Sequence, residues 1–520
     1  MIVSRKHQAL VLKVKDPNRV TSVIPGAKLL RHKGNTYVVV RHRLDEVKVL
    51  NNIGIQAPSP IEHYYEWPGR FKPFGAQREA AAFMTMHPRA FNLSDMGTGK
   101  TMATLWAYDY LRSIGQVKKM LVISPLSTLE RTWADEVFNH FPHLTTAVLH
   151  GSPEKRLKLL KTDADIYLIN HDGVKAKGLV EALSKRPDID LIVIDEISQM
   201  IRNANTERYT KLRDILRSDV PKKAWGLTGT PTPNNPTDAW AQCKLLVPDR
   251  VPQYFGRFKD SVMKQVTNFL WVPRPNAMDI VHEAMQPSIR FTRDECVDLP
   301  ECTYITRHAE LTVEQKKAYK DMLTQLKAEV DAGEVTAVNE AVKAQKLIQI
   351  ACGVVYDAHG NKLDIDASPR LEIVREVCEE AGTKVIVFVP FVSVIEKVAE
   401  HLKKNGFSVA VIHGGVPKHE RDKIFKAFQK AEEPKILVAQ PATMSHGLTL
   451  TAASTMIWYA PVTSCDTYLQ ACARITRPGQ KHNQLIVNIE GTPIEEKYYK
   501  RLMEKEKTQG ILLDLVKESR

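Results

Sequence analysis

Long apolar runs are missing from this 520-residue chain. None approaches the ~20 residues that a membrane-crossing helix needs, and the first residues lack the apolar core of a secretory leader. The expectation is a soluble, cytoplasmic protein. Cysteine is scarce: seven residues, at 243, 296, 302, 352, 378, 465 and 472, with no C-x-x-C pair and no spacing that suits zinc. That excludes a zinc module and a disulfide framework, and the odd count reads as reduced thiols with no strong nucleophile among them. Internal repeats and low-complexity tracts are absent as well, so solenoids and long tethers are not expected. Acid is in deficit, with 73 Lys/Arg against 60 Asp/Glu and a net charge of +13. A basic excess points to a polyanionic partner, usually nucleic acid. Residues 1–50 hold eleven Lys/Arg and only three Asp/Glu, so much of the excess sits there.

What is present is strand–helix alternation in two series. Residues 1–55 read as a small basic β-rich unit, with strand-like runs at 9–15 and 36–40 and turns at Pro25-Gly26 and Gly34-Asn35. Residues 56–74 read as a linker rich in Pro and aromatics (Tyr64, Tyr65, Trp67, Phe71). From residue 75 to 248, apolar runs at 120–124, 166–170, 191–195 and 224–228 alternate with helical patterns, as in a parallel sheet covered on both faces. Residues 249–345 read as irregular, then helical over 312–332. A second α/β series occupies 346–490, with strand candidates at 384–389, 408–412, 435–439, 456–459 and 484–489; a charged helical tail fills 491–520. The fold class expected is α/β, with two successive parallel-sheet lobes after a small β-rich domain.

The chemistry is carried by short motifs. Ser94-Asp-Met-Gly-Thr-Gly-Lys-Thr101 is a phosphate-binding loop in front of an apolar helix. Its small residues let backbone N–H groups curl around phosphate oxygens, Lys100 reaches the β- and γ-phosphates, and the Thr101 hydroxyl suits Mg²⁺. Ser94 departs from the glycine of the strict pattern. Leu191-Ile-Val-Ile-Asp-Glu-Ile197 is an apolar strand that ends in two carboxylates. Asp195 is placed to hold hydrated Mg²⁺, and Glu196 to orient and deprotonate the attacking water. Leu227-Thr-Gly-Thr-Pro231 offers hydroxyls, Thr228 and Thr230, at another strand end, and Gln77 offers a donor and an acceptor to an adenine edge. In Gln470-Ala-Cys-Ala-Arg-Ile-Thr-Arg-Pro-Gly-Gln480, Arg474 and Arg477 stand at i, i+3, which puts both on one helical face, ready to stabilise charge on a transferring phosphoryl group.

The ordered set, from about Phe74 to Val516, resembles the Snf2 family of superfamily 2 helicase-like ATPases. Asp95–Thr101 is similar to its motif I, which implies nucleotide contacts for Asp95, Met96, Gly97, Thr98, Gly99, Lys100 and Thr101. Ile123–Leu129 with Trp133 resembles motif Ia, a DNA-contacting segment, and so implies coupling or DNA roles for Ser124, Thr128 and Trp133. Asp195-Glu196 and Leu227–Pro231 resemble motifs II and III, and Val385–Phe388 resembles motif IV. His413-Gly-Gly with Arg421 and Phe428 resembles the following block. Gly447-Leu-Thr-Leu450 and Gln470–Gln480 resemble motifs V and VI, implying nucleotide contacts for Gly447 and Gln470. The segments from Ile494 to Leu515 are similar to the family's brace-like tail. Ser198 and Thr449 depart from the family pattern, where His and Asn are usual; Ser198 leaves the route from nucleotide to DNA open.

The resemblance implies two tandem RecA-like lobes, ATP and Mg²⁺ as cofactors, and an ATP hydrolase that moves on duplex or branched DNA through phosphate contacts, as a monomer on DNA. A strand-separating DNA or RNA helicase and a nucleotide-gated DNA-binding scaffold are the alternatives. The N-terminal unit has two readings, a DNA grip or a dock for a replication, repair or transcription protein.

Overall fold

The computed structural model describes residues 1–217, 222–266, 271–296, 300, 302–331, 345–356, 362–444, 450–476 and 480–502. The chain divides near residue 297 into two compact units.

The first unit opens with a four-stranded antiparallel sheet, β1 (Ile2–Ser4), β2 (Ala9–Leu12), β3 (Lys28–His32) and β4 (Asn35–Arg41), in the order β1-β2-β4-β3. Alternation along β2 and β4 sends Leu10, Leu12, Val38 and Val40 to one face, where Val20, Val47 and Leu50 of two helices cover them. The helix Pro17–Thr21 begins where it does because Asp16 accepts from the Asn18 and Arg19 amides and Pro17 presets the first turn. The aromatic linker is docked rather than free. Trp67 is buried against Trp106, whose indole donates to the Pro68 carbonyl at 2.8 Å, and the Tyr65 hydroxyl donates to Asp109.

Seven strands form the main sheet of this unit: β5 (Arg89–Asn92), β6 (Lys119–Ser124), β7 (Thr146–Val148), β8 (Ile166–Asn170), β9 (Ile189–Asp195), β10 (Lys223–Leu227) and, after the short hairpin β11 (Met263–Gln265) and β12 (Trp271–Pro273), β13 (Ser288–Ile289). The order is β13-β5-β10-β9-β6-β8-β7 and every pairing is parallel. Continuous aliphatic strands are what a sheet covered on both faces requires. Leu121, Ile123, Ile192 and Ile194 enter one core, while Met120, Val122, Leu191 and Val193 enter the other.

The second unit is built on a six-stranded parallel sheet. Its strands are β14 (Cys302–His308), then, after the hairpin β15 (Val354–Tyr356) and β16 (Lys362–Asp364), β17 (Lys384–Phe388), β18 (Val409–Ile412), β19 (Ile436–Ala439), β20 (Ala453–Trp458) and β21 (Gln484–Glu490). The order is β14-β21-β20-β17-β19-β18. Arg370 and Glu495, 2% and 0% exposed, form a bidentate pair at 2.7 and 2.8 Å within this unit, and Arg370 also donates to the Tyr459 carbonyl.

These two parallel sheets and the antiparallel N-terminal sheet are the two RecA-like lobes and small β-rich domain read from the sequence. The stretch 249–345 differs from its reading as a separate irregular region. Phe258, Val262 and Val281 join the first unit's core, β13 extends its sheet, and β14 pairs along its whole length with β21 in the second. β14 was not legible because Cys-Thr-Tyr-Ile-Thr-Arg-His is an edge strand with mostly exposed side chains and no apolar run. No helix among the described residues is long and apolar enough to cross a membrane.

Candidate active site

β5 ends at Asn92, and the chain turns at Ser94–Gly99 into the helix Lys100–Ser113. Gly97 and Gly99 have φ of +86° and +81°, a left-handed backbone that side chains disfavour. A Cβ on Gly99 would also stand 2.1 Å from the Gln77 amide nitrogen. Lys100 Nζ donates to the carbonyls of Ser94 at 2.8 Å and Asp95 at 3.0 Å, and the Thr98 hydroxyl to that of Asp95 at 2.9 Å. Thr101 follows in the first helical turn, half-buried.

Gln77 lies beneath the loop. Its Nε2 donates to the Thr98 carbonyl at 3.3 Å, and its Oε1 accepts from the Phe74 amide. In these contacts Gln77 braces the loop.

A second brace comes from far along the chain. Ser94, the departure from glycine, has a structural use: its hydroxyl accepts from the Phe291 amide at 3.1 Å. The Asp95 carboxylate accepts from the Arg290 guanidinium at 3.4 Å and the Arg293 amide at 3.2 Å, while Arg293 Nε donates to the Met96 carbonyl. Asp95 thus holds the loop's shape with its side chain. Arg290 and Arg293 escaped the sequence reading, since nothing local marks a contact across 195 residues.

β9 delivers Asp195 and Glu196 at its carboxyl end. Three groups fix them. The Trp133 indole donates to Asp195 Oδ2 at 3.0 Å. The Glu196 amide donates to Asp195 Oδ1 at 3.1 Å. His171 Nε2 lies 2.8 Å from the Asp195 carbonyl, which can only accept, so that nitrogen carries the proton. Burial pulls the His171 imidazole down to about 4, consistent with a neutral ring. Burial raises the Asp195 carboxyl above its usual range, opposed by the Trp133 hydrogen bond and the Lys100 charge. Glu196 adopts φ +50°, ψ +49°, the left-handed region that a non-glycine residue occupies at a cost of about 1–3 kcal/mol.

Trp133 lies on a π-helical stretch, Leu129–Ala134, and is fully buried. Its indole N–H is turned to the Asp195 carboxylate. Ser124 and Thr128 are likewise buried, each bonded to the Pro125 carbonyl. Ser198 pairs with Thr228 at 2.8 Å, and the Thr230 amide donates to the same Thr228 hydroxyl. Gly229 packs onto the phosphate loop, where a Cβ would meet the Met96 nitrogen at 3.2 Å. The serine that stands in place of the family's histidine therefore joins the Asp195-Glu196 turn to the Thr228–Thr230 turn, and that turn to the loop.

In the second unit, the helix Cys465–Cys472 ends before Arg474, and the expected shared face of Arg474 and Arg477 falls on a residue outside those described. Arg474 is 2% exposed, with its carbonyl accepting from the Leu450 amide; Gln470 is half-buried on the helix. Nδ1 of His413 accepts from the Gly415 amide, and Arg421 sits in the first turn of the helix Lys418–Lys430. Gly447, Thr449, Arg477 and the tail beyond residue 502 lie outside the described residues.

The oxygen donors in the first unit, the Thr101 hydroxyl and the buried Asp195 carboxylate, fit Mg²⁺, which takes one or two protein ligands and fills its shell with water and phosphate.

Comparison with known proteins agrees with this geometry. The description "SNF2-related domain" matches residues 77–352, and "Helicase conserved C-terminal domain" matches residues 369–479. The putative protein p41 of Acyrthosiphon pisum secondary endosymbiont phage 1 is 25% identical over 465 residues, covering 82% of this chain and 93% of that protein. A chromodomain-helicase-DNA-binding protein 1-like of Danio rerio is 25% identical, covering 79% of this chain and 40% of its own. An uncharacterized ATP-dependent helicase of Mycoplasma genitalium is 26% identical, covering 76% and 37%. This chain spans less than half the length of the latter two. The Sulfolobus solfataricus SWI2/SNF2 ATPase core, solved in complex with dsDNA, aligns over 86% of this chain and 96% of that one at 24% identity, with a TM-score of 0.41. With the first domain spanning over half of its length and the second following it in order, the chain belongs to the SNF2-related family of helicase-like ATPases.

Proposed function

We propose that this protein is a DNA-dependent ATPase that hydrolyses ATP to move on duplex or branched DNA. The observation that carries the reading is the linked turn set of the first unit: phosphate loop, Asp195-Glu196 and Thr228–Thr230 joined by the Ser198–Thr228 hydrogen bond. On ATP binding, Lys100 exchanges the carbonyls of Ser94 and Asp95 for phosphate oxygens, and the amides of the loop cradle the rest. Thr101 and Asp195 would hold Mg²⁺, which would supply charge neutralisation at the phosphates. Glu196 orients and deprotonates the attacking water. Arg474 and Arg477 are proposed to stabilise charge on the transferring phosphoryl group, a role that rests on their motif alone. Gly447 and Gln470 are proposed to contact the nucleotide, and His413 and Arg421 to couple nucleotide state to DNA, on the same ground.

A net charge of +13 supports a nucleic-acid partner, and one relative carries DNA binding in its name. Contacts mainly to phosphates make binding salt-sensitive and largely independent of sequence. The test is steady-state hydrolysis with duplex, forked and single-stranded DNA and RNA, alongside Glu196→Gln. Strong stimulation by duplex or forked DNA, abolished in Glu196→Gln with ATP binding retained, is the expected result. Stimulation only by single strands or RNA replaces the reading with a strand-separating helicase. No stimulation replaces it with a nucleotide-gated scaffold.

A further inference from the structure

The first unit contains a cavity of about 510 Å³ at the opposite end of the sheet from the phosphate loop. Parallel α/β sheets ordinarily bind ligands at the carboxyl ends of their strands. This cavity lies at the amino ends: Arg89, the first residue of β5, and Pro287, which precedes β13, are both in its wall. From Arg89 to Ser94 of the loop is roughly 15 Å along an extended chain.

Its wall is strongly basic. Arg89, Arg213, Arg217, Lys244 and Arg250 line it, against the single carboxylate of Asp249. Part of this charge has a local use. Arg89 donates to the last carbonyls of two helices, those of Leu245, Leu246 and Leu216, and so caps their negative ends. Arg213 is engaged by Asp214. Arg217, Lys244 and Arg250 have no ion pair within 4.0 Å among the described residues, and they outnumber the one acid in the wall. The same wall presents Leu216, Val247 and Pro248. A cationic rim over an apolar floor, in a volume within the ~300–1,000 Å³ of small-molecule sites, suits a nucleotide unit, with the base on the floor and the phosphate on the rim.

We propose that this cavity is a second phosphate-binding site, separate from the catalytic loop, that takes a nucleotide unit. The unit is either free or part of a nucleic-acid strand. The site goes beyond the proposed function and does not depend on it, since its test does not read hydrolysis.

The test is equilibrium binding by the full chain in two arms. One arm uses fluorescein-labelled duplex and single-stranded DNA. The other uses fluorescent ADP in a Lys100→Ala background that disables the loop. The variants are Lys244→Glu and Arg250→Glu, with Lys158→Glu on an exposed helix face as the charge control. The expected result is a tenfold or larger loss of affinity in one arm, not seen with the control. Loss in the DNA arm, with the log–log salt slope reduced by about 1 per phosphate contact removed, identifies a strand. Loss in the ADP arm alone identifies a free nucleotide. Unchanged binding in both arms, or an equal loss with the control, overturns the proposal. Should either reversal lower the melting temperature, Lys244→Ala with Arg250→Ala repeats the measurement and is read the same way.

Discussion

Trp133 is the side chain to which the structure gives a specific partner at the site. Its motif implied a coupling or DNA role, and its N–H is bonded to Asp195 inside the first unit. Trp133→Phe keeps most of the ring's packing and removes only that donor. Losing a partner for a buried carboxylate costs about 1–3 kcal/mol, and groups that orient a metal-binding carboxylate are worth about 10–100-fold. The expected outcome is a modest drop in melting temperature and a 10–100-fold rise in the Mg²⁺ concentration needed for half-maximal hydrolysis, checked by a Mg²⁺ titration. An unaltered titration would remove Trp133 from the site. Glu196, held at φ +50°, is similarly special: the turn aims its carboxylate through a strained backbone rather than a preferred one.

At the scale of elements, the segment from β13 to Arg293 is a clasp on the phosphate loop. It adds a two-residue strand beside β5 and then places Arg290 and Arg293 on Asp95 and Met96. Arg290 is 4% exposed, so Arg290→Ala leaves both a void and a carboxylate with a lost partner. We expect ATP affinity to fall about tenfold and stability by about 1–3 kcal/mol, measured by fluorescent-nucleotide titration and thermal melting; ATP affinity at the wild-type level would rule out the clasp. In the second unit, Glu495 accepts from Arg370, the Gly491 amide and the Thr492 hydroxyl, and so closes the end of β21. Glu495→Gln leaves a buried guanidinium without its counter-charge, and the expected cost is about 3–5 kcal/mol. Chemical denaturation would check it, and a loss under 1 kcal/mol would mean that the pair is replaceable.

For the whole molecule, the uneven charge is the feature with the most consequence. The N-terminal sheet carries basic residues on a small independent core, and its edge strand β3, Lys-Leu-Leu-Arg-His, is exposed along its full length. Deleting residues 1–55 is expected to weaken binding to forked DNA at least tenfold at low salt and to flatten its salt dependence, while hydrolysis without DNA persists. Unchanged fork affinity would favour the protein-docking reading of this unit. The deletion removes a separate core cluster, although Leu44 also packs into the core of the following domain, so a melting curve belongs beside the binding curve.

The sequence by itself determined the chemistry-bearing motifs and most of the sheet. Lys100, Thr101, Asp195 and Glu196 are legible because phosphate and metal binding need those residue types at close spacing on a loop or a strand end, so the signal is local. Ile166–Asn170 and its neighbours are legible because strands buried on both faces must be apolar along nearly their whole length. Tertiary structure alone decided what supports those residues. β5, β13 and β14 are short or polar and exist because a neighbouring ladder completes their hydrogen bonds. Arg290 meets Asp95 across 195 residues, and Trp133 meets Asp195 across 62, which no periodicity encodes. A repeating pattern tells which face of an element is buried. Which residue it is buried against is settled only when the layers pack.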